Sequence, residues 1–111
     1  MNTRKPLALI ALLAAPLLCA AATWKDVSIV DSDCAVKVKD NPDAHTRSCA
    51  QQCAKSGYGI LTTDGKFLKF DTAGNDKAVA ALQGSKASDH LRATVTGDLK
   101  GDTIQVKSVK M

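Results

Sequence analysis

Glutamate is absent from this chain, and all eleven of its acidic residues are aspartates. Lysines and aspartates are mixed along the chain without any basic run, which argues against a surface patch that binds nucleic acid. The aspartate-rich segment 31–43 also lacks the Gly and the final Glu of an EF-hand calcium loop. We therefore interpret this segment as a solvated loop and expect no nucleic-acid partner.

Aromatic residues are scarce as well, since Trp24, Tyr58, Phe67 and Phe70 are the full set. Proteins that bind single strands stack bases on exposed aromatic rings beside a basic groove. A core for a chain of this size needs two of these four rings. The scarcity is therefore a second argument against nucleic-acid binding.

No hydrophobic run reaches the length of about 20 residues that a membrane span needs. The longest, PLALIALLAAPLL, follows Arg4 and Lys5 and precedes Ala20, Ala21 and Ala22, a small-residue pattern typical of signal peptidase sites. We predict a cleaved signal peptide at residues 1–22, and hence a periplasmic or secreted protein.

A lipoprotein is the alternative at this N-terminus, with Cys19 as the modified residue. Leu18 and Pro16 do not fit the positions before a lipidated cysteine, so we do not favour it. The mature chain then runs from Thr23 to Met111 as a single domain, with no transmembrane segment. Without the basic residues of the signal peptide, its formal charge falls from +4 to +2.

Hydrophobic periodicity in the mature chain predicts strand, helix, two strands, helix, two strands. Asp64 and Gly65 lie between two apolar runs and predict a hairpin turn. Val109 falls out of phase with Ile104 and Val106, which predicts a β-bulge. This order predicts a mostly β fold with α-helices, a small OB-like five-stranded Greek-key barrel with a helix inserted after the first strand. A small open α+β sheet is the alternative. The predicted elements are a strand in 24–31, a helix in 42–56, a hairpin in 58–71, a helix in 74–85 and two strands in 90–110.

The inserted helix carries the most unusual spacing in the chain. In HTRSCAQQC, residues His45, Cys49 and Cys53 follow one another at intervals of four, which places them on one face of a helix. Asn41 is its expected N-cap, and Gly57 its expected end. We expect this face to contact the barrel.

Three cysteines in an exported chain predict one disulfide and one remaining thiol. A bridge between Cys49 and Cys53 would distort the helix, because Cβ atoms four residues apart are about 5–6 Å from each other. Cys34 is therefore the expected partner of either Cys49 or Cys53. A bridge from Cys34 to Cys49 would close a loop of about fifteen residues and stabilise the protein by about 3 kcal/mol. The alternative is a metal site of Cys34, His45, Cys49 and Cys53, a ligand set that suits zinc or Cu(I).

Catalytic sites are not evident, and we assign no catalytic residues. Cys49 and His45 lack a third group and an oxyanion hole. The cysteine spacing excludes a Cys-x-x-Cys-His haem attachment. His90 precedes a strand, and we expect it at the surface. If His45 also lies at the surface, His45→Ala should lower the stability of the fold by less than ~1 kcal/mol.

Three segments, VDSDC, HTRSCAQQCAKSGYGILTTDGKFLKFD and VTGDLKGDTIQVKSVK, resemble an uncharacterised group of small secreted bacterial proteins. The shared pattern is Asp-x-x-Cys near the first strand, Cys-x-x-x-Cys on a helix, Gly-Lys in a hairpin and a final strand pair. The last strands are also similar to periplasmic OB-fold proteins. The resemblance implies the same compact fold and an extracytoplasmic setting, and brings no activity with it.

From the sequence we therefore expect a small exported non-catalytic domain whose ligand and partners are unknown. Its cysteines are mainly structural, and it needs no cofactor. Periplasmic binding of copper or zinc is the first alternative. A thiol redox protein is the second.

Overall fold

Five strands close into a barrel in a computed structural model of the protein, which describes residues 21–111. The elements are β1 (Ala22–Asp31), α1 (Ala35–Val38), α2 (Arg47–Gln52), β2 (Tyr58–Leu61), β3 (Phe67–Phe70), α3 (Thr72–Gly84), β4 (Arg92–Lys100) and β5 (Thr103–Lys110). The strand order is β1-β2-β3-β5-β4, with β4 returning to β1; only the β3–β5 pair is parallel. With α3 between β3 and β4, this is the predicted OB-like barrel, and the open-sheet alternative is wrong. Most of the predicted signal peptide, including Cys19, lies outside the described residues.

β1 is shared between two neighbours, which is how the ring closes. Its first half pairs with β4 and its second half with β2. The pairing with β4 gains one residue between Trp24 and Val27, where Asp26 has φ 53°. A bulge of this kind bends a strand sharply. β1 ends at Asp31, where the connection that carries the cysteines begins.

The local features predicted for the second half of the chain are confirmed. Gly65 takes φ 81° in the turn between β2 and β3, a conformation that glycine adopts without strain. In the β4–β5 pair, Thr96 is opposite Ser108 and Gly97 is opposite Val106, so Lys107 is the extra residue of a bulge.

α3 closes one end of the barrel. Asp71 caps it by accepting a hydrogen bond from the Gly74 N–H at 2.9 Å, and the same carboxylate oxygen accepts from the Val106 N–H at 3.2 Å. Ala78 and Leu82 of this helix are fully buried in the core. The helix ends at Gly84, as predicted.

Tyr58 and Phe70 lie in the core, so two of the four aromatic rings are used there, as expected. Both belong to the main cluster of buried residues inside the barrel. A second, smaller cluster joins Val30 and Leu61 to Ala35 of α1. This contact holds α1 against the outside of the barrel.

The connection 32–57 differs from its prediction. Instead of one helix over 42–56, it has a three-ten turn at Pro42–Ala44, an extended residue at His45, α2, and a three-ten turn at Ala54–Ser56. Thr46 causes the break: its hydroxyl accepts a hydrogen bond from the Cys49 N–H at 3.1 Å, so it starts a new helix.

The predicted loop before it also contains a helical turn. Ala35–Val38 forms α1, where the sequence predicted a solvated loop. Asp31, at its start, is fully buried rather than solvated. The prediction of a solvated loop is therefore wrong at Asp31 and Ala35, the two buried residues of this segment.

Candidate metal centre

Asp31 is the centre of a polar cluster at the end of β1. It is 0% exposed. One carboxylate oxygen, Oδ2, accepts a hydrogen bond from the Cys34 N–H at 3.1 Å, and the backbone carbonyl of Asp31 accepts from the same N–H at 3.2 Å. A buried carboxylate is costly unless its oxygens have partners, and this one uses the first turn of α1 as a partner.

His45 supplies the second partner. The imidazole is buried, and its Nε2–H donates to Asp31 Oδ1 across 2.8 Å. Because a carboxylate only accepts, this bond places a proton on Nε2. His45 itself is extended, with ψ 126°, and lies outside the helix, where its ring reaches Asp31.

Two thiols lie beside this carboxylate. Cys34 precedes α1 and Cys53 follows α2, and both are partly buried. One carboxylate oxygen of Asp31 and the sulfurs of Cys34 and Cys53 all lie within 4.8 Å of one another. All three cysteines of the described chain are free thiols.

The electrostatics of the cluster disfavour further negative charge. Burial, the hydrogen bond to Asp31 and the nearby carboxylate raise the pKa of the Cys34 thiol to about 11. Burial, followed by the charges of Asp31 and Cys53, also raises the pKa of the Tyr58 hydroxyl. That hydroxyl donates to the Ala50 carbonyl at 2.8 Å. A thiol held protonated at neutral pH is a poor nucleophile, whereas a bound cation would stabilise the thiolate.

The cluster matches the ligand chemistry of zinc. Zn–S bonds of about 2.3 Å and Zn–O bonds of about 2.0–2.2 Å place neighbouring ligand atoms about 3.5–3.8 Å apart. The three candidate ligand atoms, all within 4.8 Å of each other, need shifts of only about 1 Å to reach that geometry. His45 would then hydrogen-bond the carboxylate and keep it oriented, as outer partners of metal ligands do.

The sequence-predicted residues divide into two groups. Cys34, Cys53 and His45 meet at Asp31, although His45 contacts the carboxylate and is not in the group of mutually close ligand atoms. Cys49 is exposed and outside that group. Cys34 therefore lies near Cys53, which answers the question of its neighbour that the sequence left open.

The prediction that His45, Cys49 and Cys53 share one helical face is wrong. α2 begins at Arg47 and ends at Gln52, so His45 precedes it and Cys53 is its C-cap. The residue that α2 buries is Ala50, which is 0% exposed. The helix thus packs on the barrel through Ala50, and burial does not explain the position of Cys49.

Asp31 is the site residue that the sequence analysis missed. Its only signal was the spacing Asp-x-x-Cys, in which the carboxylate can accept from a backbone N–H three residues later. Four aspartates occur in the segment 31–43, and nothing in the local pattern distinguishes the buried one.

His90 lies at the surface, as predicted, with 67% of its side chain exposed. The neighbouring carboxylate of Asp89 accepts a hydrogen bond from its Nδ1 and raises the pKa of the imidazole.

Within residues 21–111, no helix is both long and apolar enough to cross a membrane.

Comparisons with protein-family models, with curated proteins and with solved structures find no match to this chain. The cluster at Asp31 is therefore the feature of the molecule that bears on its function.

Proposed function

We propose that the protein is a small exported, non-catalytic domain that binds a zinc ion through Asp31, Cys34 and Cys53. The observation that carries this proposal is the mutual approach of one buried carboxylate and two thiols to within 4.8 Å. Three protein ligands leave a fourth position for water or an external donor, as in open zinc sites.

The ligand types favour zinc over Cu(I). Cu(I) is a soft ion that prefers thiolates and thioethers, whereas zinc also accepts carboxylate oxygen. Asp31 is fully buried and held by His45, so its oxygen is well placed to act as a ligand. Copper therefore remains the weaker candidate for this site.

Zinc titration of the purified, reduced protein, in competition with a chromophoric chelator, tests the proposal. We expect one zinc ion per chain. We expect Cys34→Ser, Cys53→Ser and Asp31→Asn each to weaken binding by ~10-fold or more, since each removes one ligand or its charge. Cys49→Ser is the matched control, because this thiol is exposed and outside the group.

The outcome that contradicts zinc binding is equally specific. If the reduced wild-type protein shows no zinc affinity above that of the triple variant Cys34→Ser, Cys49→Ser, Cys53→Ser, the site does not bind zinc. Circular dichroism of each variant checks that it is folded. A Cu(I) titration with the same set of variants decides between the two metals.

A structural disulfide between Cys34 and Cys53 is the second candidate. The approach of the two sulfurs to within 4.8 Å supports it, as does the expected export of the chain. The bridge would link the two ends of the connection 32–57, which contains no strand. Mass spectrometry of the protein isolated without reductant would then find this bridge permanently formed and resistant to mild thiols.

The proposal also covers the export of the chain and the group of proteins to which it belongs. The basic residues, apolar run and Ala20-Ala21-Ala22 pattern support cleavage after residue 22 and a periplasmic or secreted location. We also propose membership in the group of small secreted bacterial proteins that the sequence resembles, because its Asp-x-x-Cys residues and the second cysteine of Cys-x-x-x-Cys supply the proposed ligands. N-terminal sequencing of the exported protein tests the cleavage site.

A further inference from the structure

We infer that the zinc site is redox-sensitive: formation of a disulfide between Cys34 and Cys53 releases the metal. This inference rests on the proposed zinc binding. The same two sulfurs that would coordinate zinc are neighbours within 4.8 Å. Sulfurs around a zinc ion are about 3.8 Å apart. In a disulfide they are about 2.05 Å apart, so one pair of sulfurs cannot do both.

The surroundings of the two cysteines permit this change. Cys34 lies between β1 and α1, and Cys53 lies where α2 gives way to the three-ten turn Ala54–Ser56. Neither residue belongs to a strand, so the sulfurs can approach without shifting the barrel ladder. Both side chains are partly exposed, which lets a small oxidant reach them.

Cys49 does not compete for the same partner. It lies one helical turn before Cys53, at a spacing that separates Cβ atoms by about 5–6 Å, whereas a disulfide wants about 3.5–4.5 Å. Its carbonyl accepts the Cys53 N–H at 3.2 Å, which holds that helical spacing in place. The bridge therefore joins Cys53 to Cys34.

The chemistry balances with a low-molecular-weight disulfide, such as oxidised glutathione, as the oxidant. One zinc-bound thiolate attacks the external disulfide, forms a mixed disulfide and expels one thiolate. The second protein thiolate then attacks the mixed disulfide, forms the Cys34–Cys53 bond and expels the second external thiolate. The two protein sulfurs lose two electrons, the external disulfide gains them, and zinc leaves as Zn²⁺ with its oxidation state unchanged.

The Asp31 carboxylate stays in place when the thiols are oxidised, because His45 and the Cys34 N–H still hold it. A single carboxylate binds zinc far more weakly than a set that includes two thiolates. Reduction of the bridge restores both thiols, which lose their protons when zinc binds again. The connection 32–57 thus gives the protein two interchangeable states on one barrel.

The experiment loads the reduced full chain with one zinc ion, adds oxidised glutathione, and measures released zinc with a chromophoric chelator. The expected result is one zinc released for each Cys34–Cys53 bridge found by peptide mapping, and recovery of zinc binding after dithiothreitol treatment. The Cys49→Ser variant should behave identically, and it removes mixed disulfides at the exposed thiol.

Two results overturn the inference alone: zinc that stays bound after the bridge has formed, or a bridge that includes Cys49. If the reduced protein binds no zinc at the outset, the proposed function fails first and the inference fails with it. The zinc titration before oxidation separates these cases.

Discussion

His45 shows how much depends on the surroundings of a single side chain. The ring is 4% exposed and its Nε2 is 2.8 Å from a carboxylate that is itself fully buried. If the ring is removed, Asp31 Oδ1 keeps its charge but loses its hydrogen-bond donor. Removing one partner of a buried pair costs more than the pair contributes, because the other charge stays buried.

We therefore predict that His45→Ala lowers the free energy of unfolding by about 3 kcal/mol. Because His45 is buried, the smaller cost expected for a surface histidine does not apply to it. His90→Ala is the matched control, and this exposed residue should change stability by less than about 0.5 kcal/mol. Denaturant unfolding of both variants, in reduced and metal-free protein, measures the difference.

A double variant refines the test. Asp31→Asn removes the buried charge, so adding His45→Ala to it should cost less than His45→Ala alone. Equal costs in the two backgrounds would contradict the assignment of the Asp31–His45 bond as the cause.

At the scale of elements, α3 depends on a close approach to the barrel. A Cβ at Gly74 would lie 2.5 Å from Val106 Cγ2 and 2.8 Å from Phe70 Cβ. Gly84, at the other end of the same helix, has no neighbouring atom within 4 Å of such a Cβ. The helix therefore contains one glycine that packing requires and one that it does not.

This contrast predicts opposite effects of one substitution within one helix. Gly74→Ala should lower the free energy of unfolding by about 1–3 kcal/mol, because the methyl group forces α3 away from β5. Gly84→Ala should raise it by up to ~1 kcal/mol, because alanine is the better helix former and has room. Thermal unfolding of the two variants checks the prediction, and an equal shift in both would refute it.

The whole molecule consists of a barrel and a long connection that polar contacts fasten to it. Arg92 on β4 donates to both carboxylate oxygens of Asp43, at 2.9 and 2.7 Å, and also pairs with Asp26 at 3.0 Å. Arg47 donates from its guanidinium to the Ser85 carbonyl at 2.7 Å. The buried Asp31–His45 bond is a further attachment.

The contact between Asp43 and Arg92 makes stability depend on pH. The hydrogen bonds from Arg92 hold the pKa of the Asp43 carboxyl below its ordinary value. A carboxyl with a lowered folded-state pKa stabilises the protein above its unfolded-state pKa, and this contribution is lost as pH falls through the folded-state pKa.

Acidification below the ordinary aspartate range should therefore destabilise the wild-type protein more than Asp43→Asn. Denaturant unfolding at a series of acidic pH values measures the stability of both proteins. Asp102→Asn serves as the control, because Asp102 is exposed and its ion pair with Lys66 is long at 3.9 Å. Parallel pH curves for wild type and Asp43→Asn would show that this ion pair does not stabilise the fold.

The features that the sequence determined are those encoded by neighbouring residues. Alternation of period two predicts the strands, the Asp64-Gly65 pair predicts the hairpin turn, and the phase change at Val109 predicts the bulge in β5. Each follows from local backbone preferences and the burial of one face of a strand. The barrel follows because these strands must bury their inner faces together.

Only the tertiary structure decided the composition of the candidate metal centre. The spacing of His45, Cys49 and Cys53 predicted one helical face, but Thr46 begins a new helix and His45 turns toward Asp31. Helical periodicity determines neighbours only while the helix continues. Asp31 is a site residue because it is buried beside Cys34 and Cys53. Burial depends on how distant segments pack, which no local spacing records.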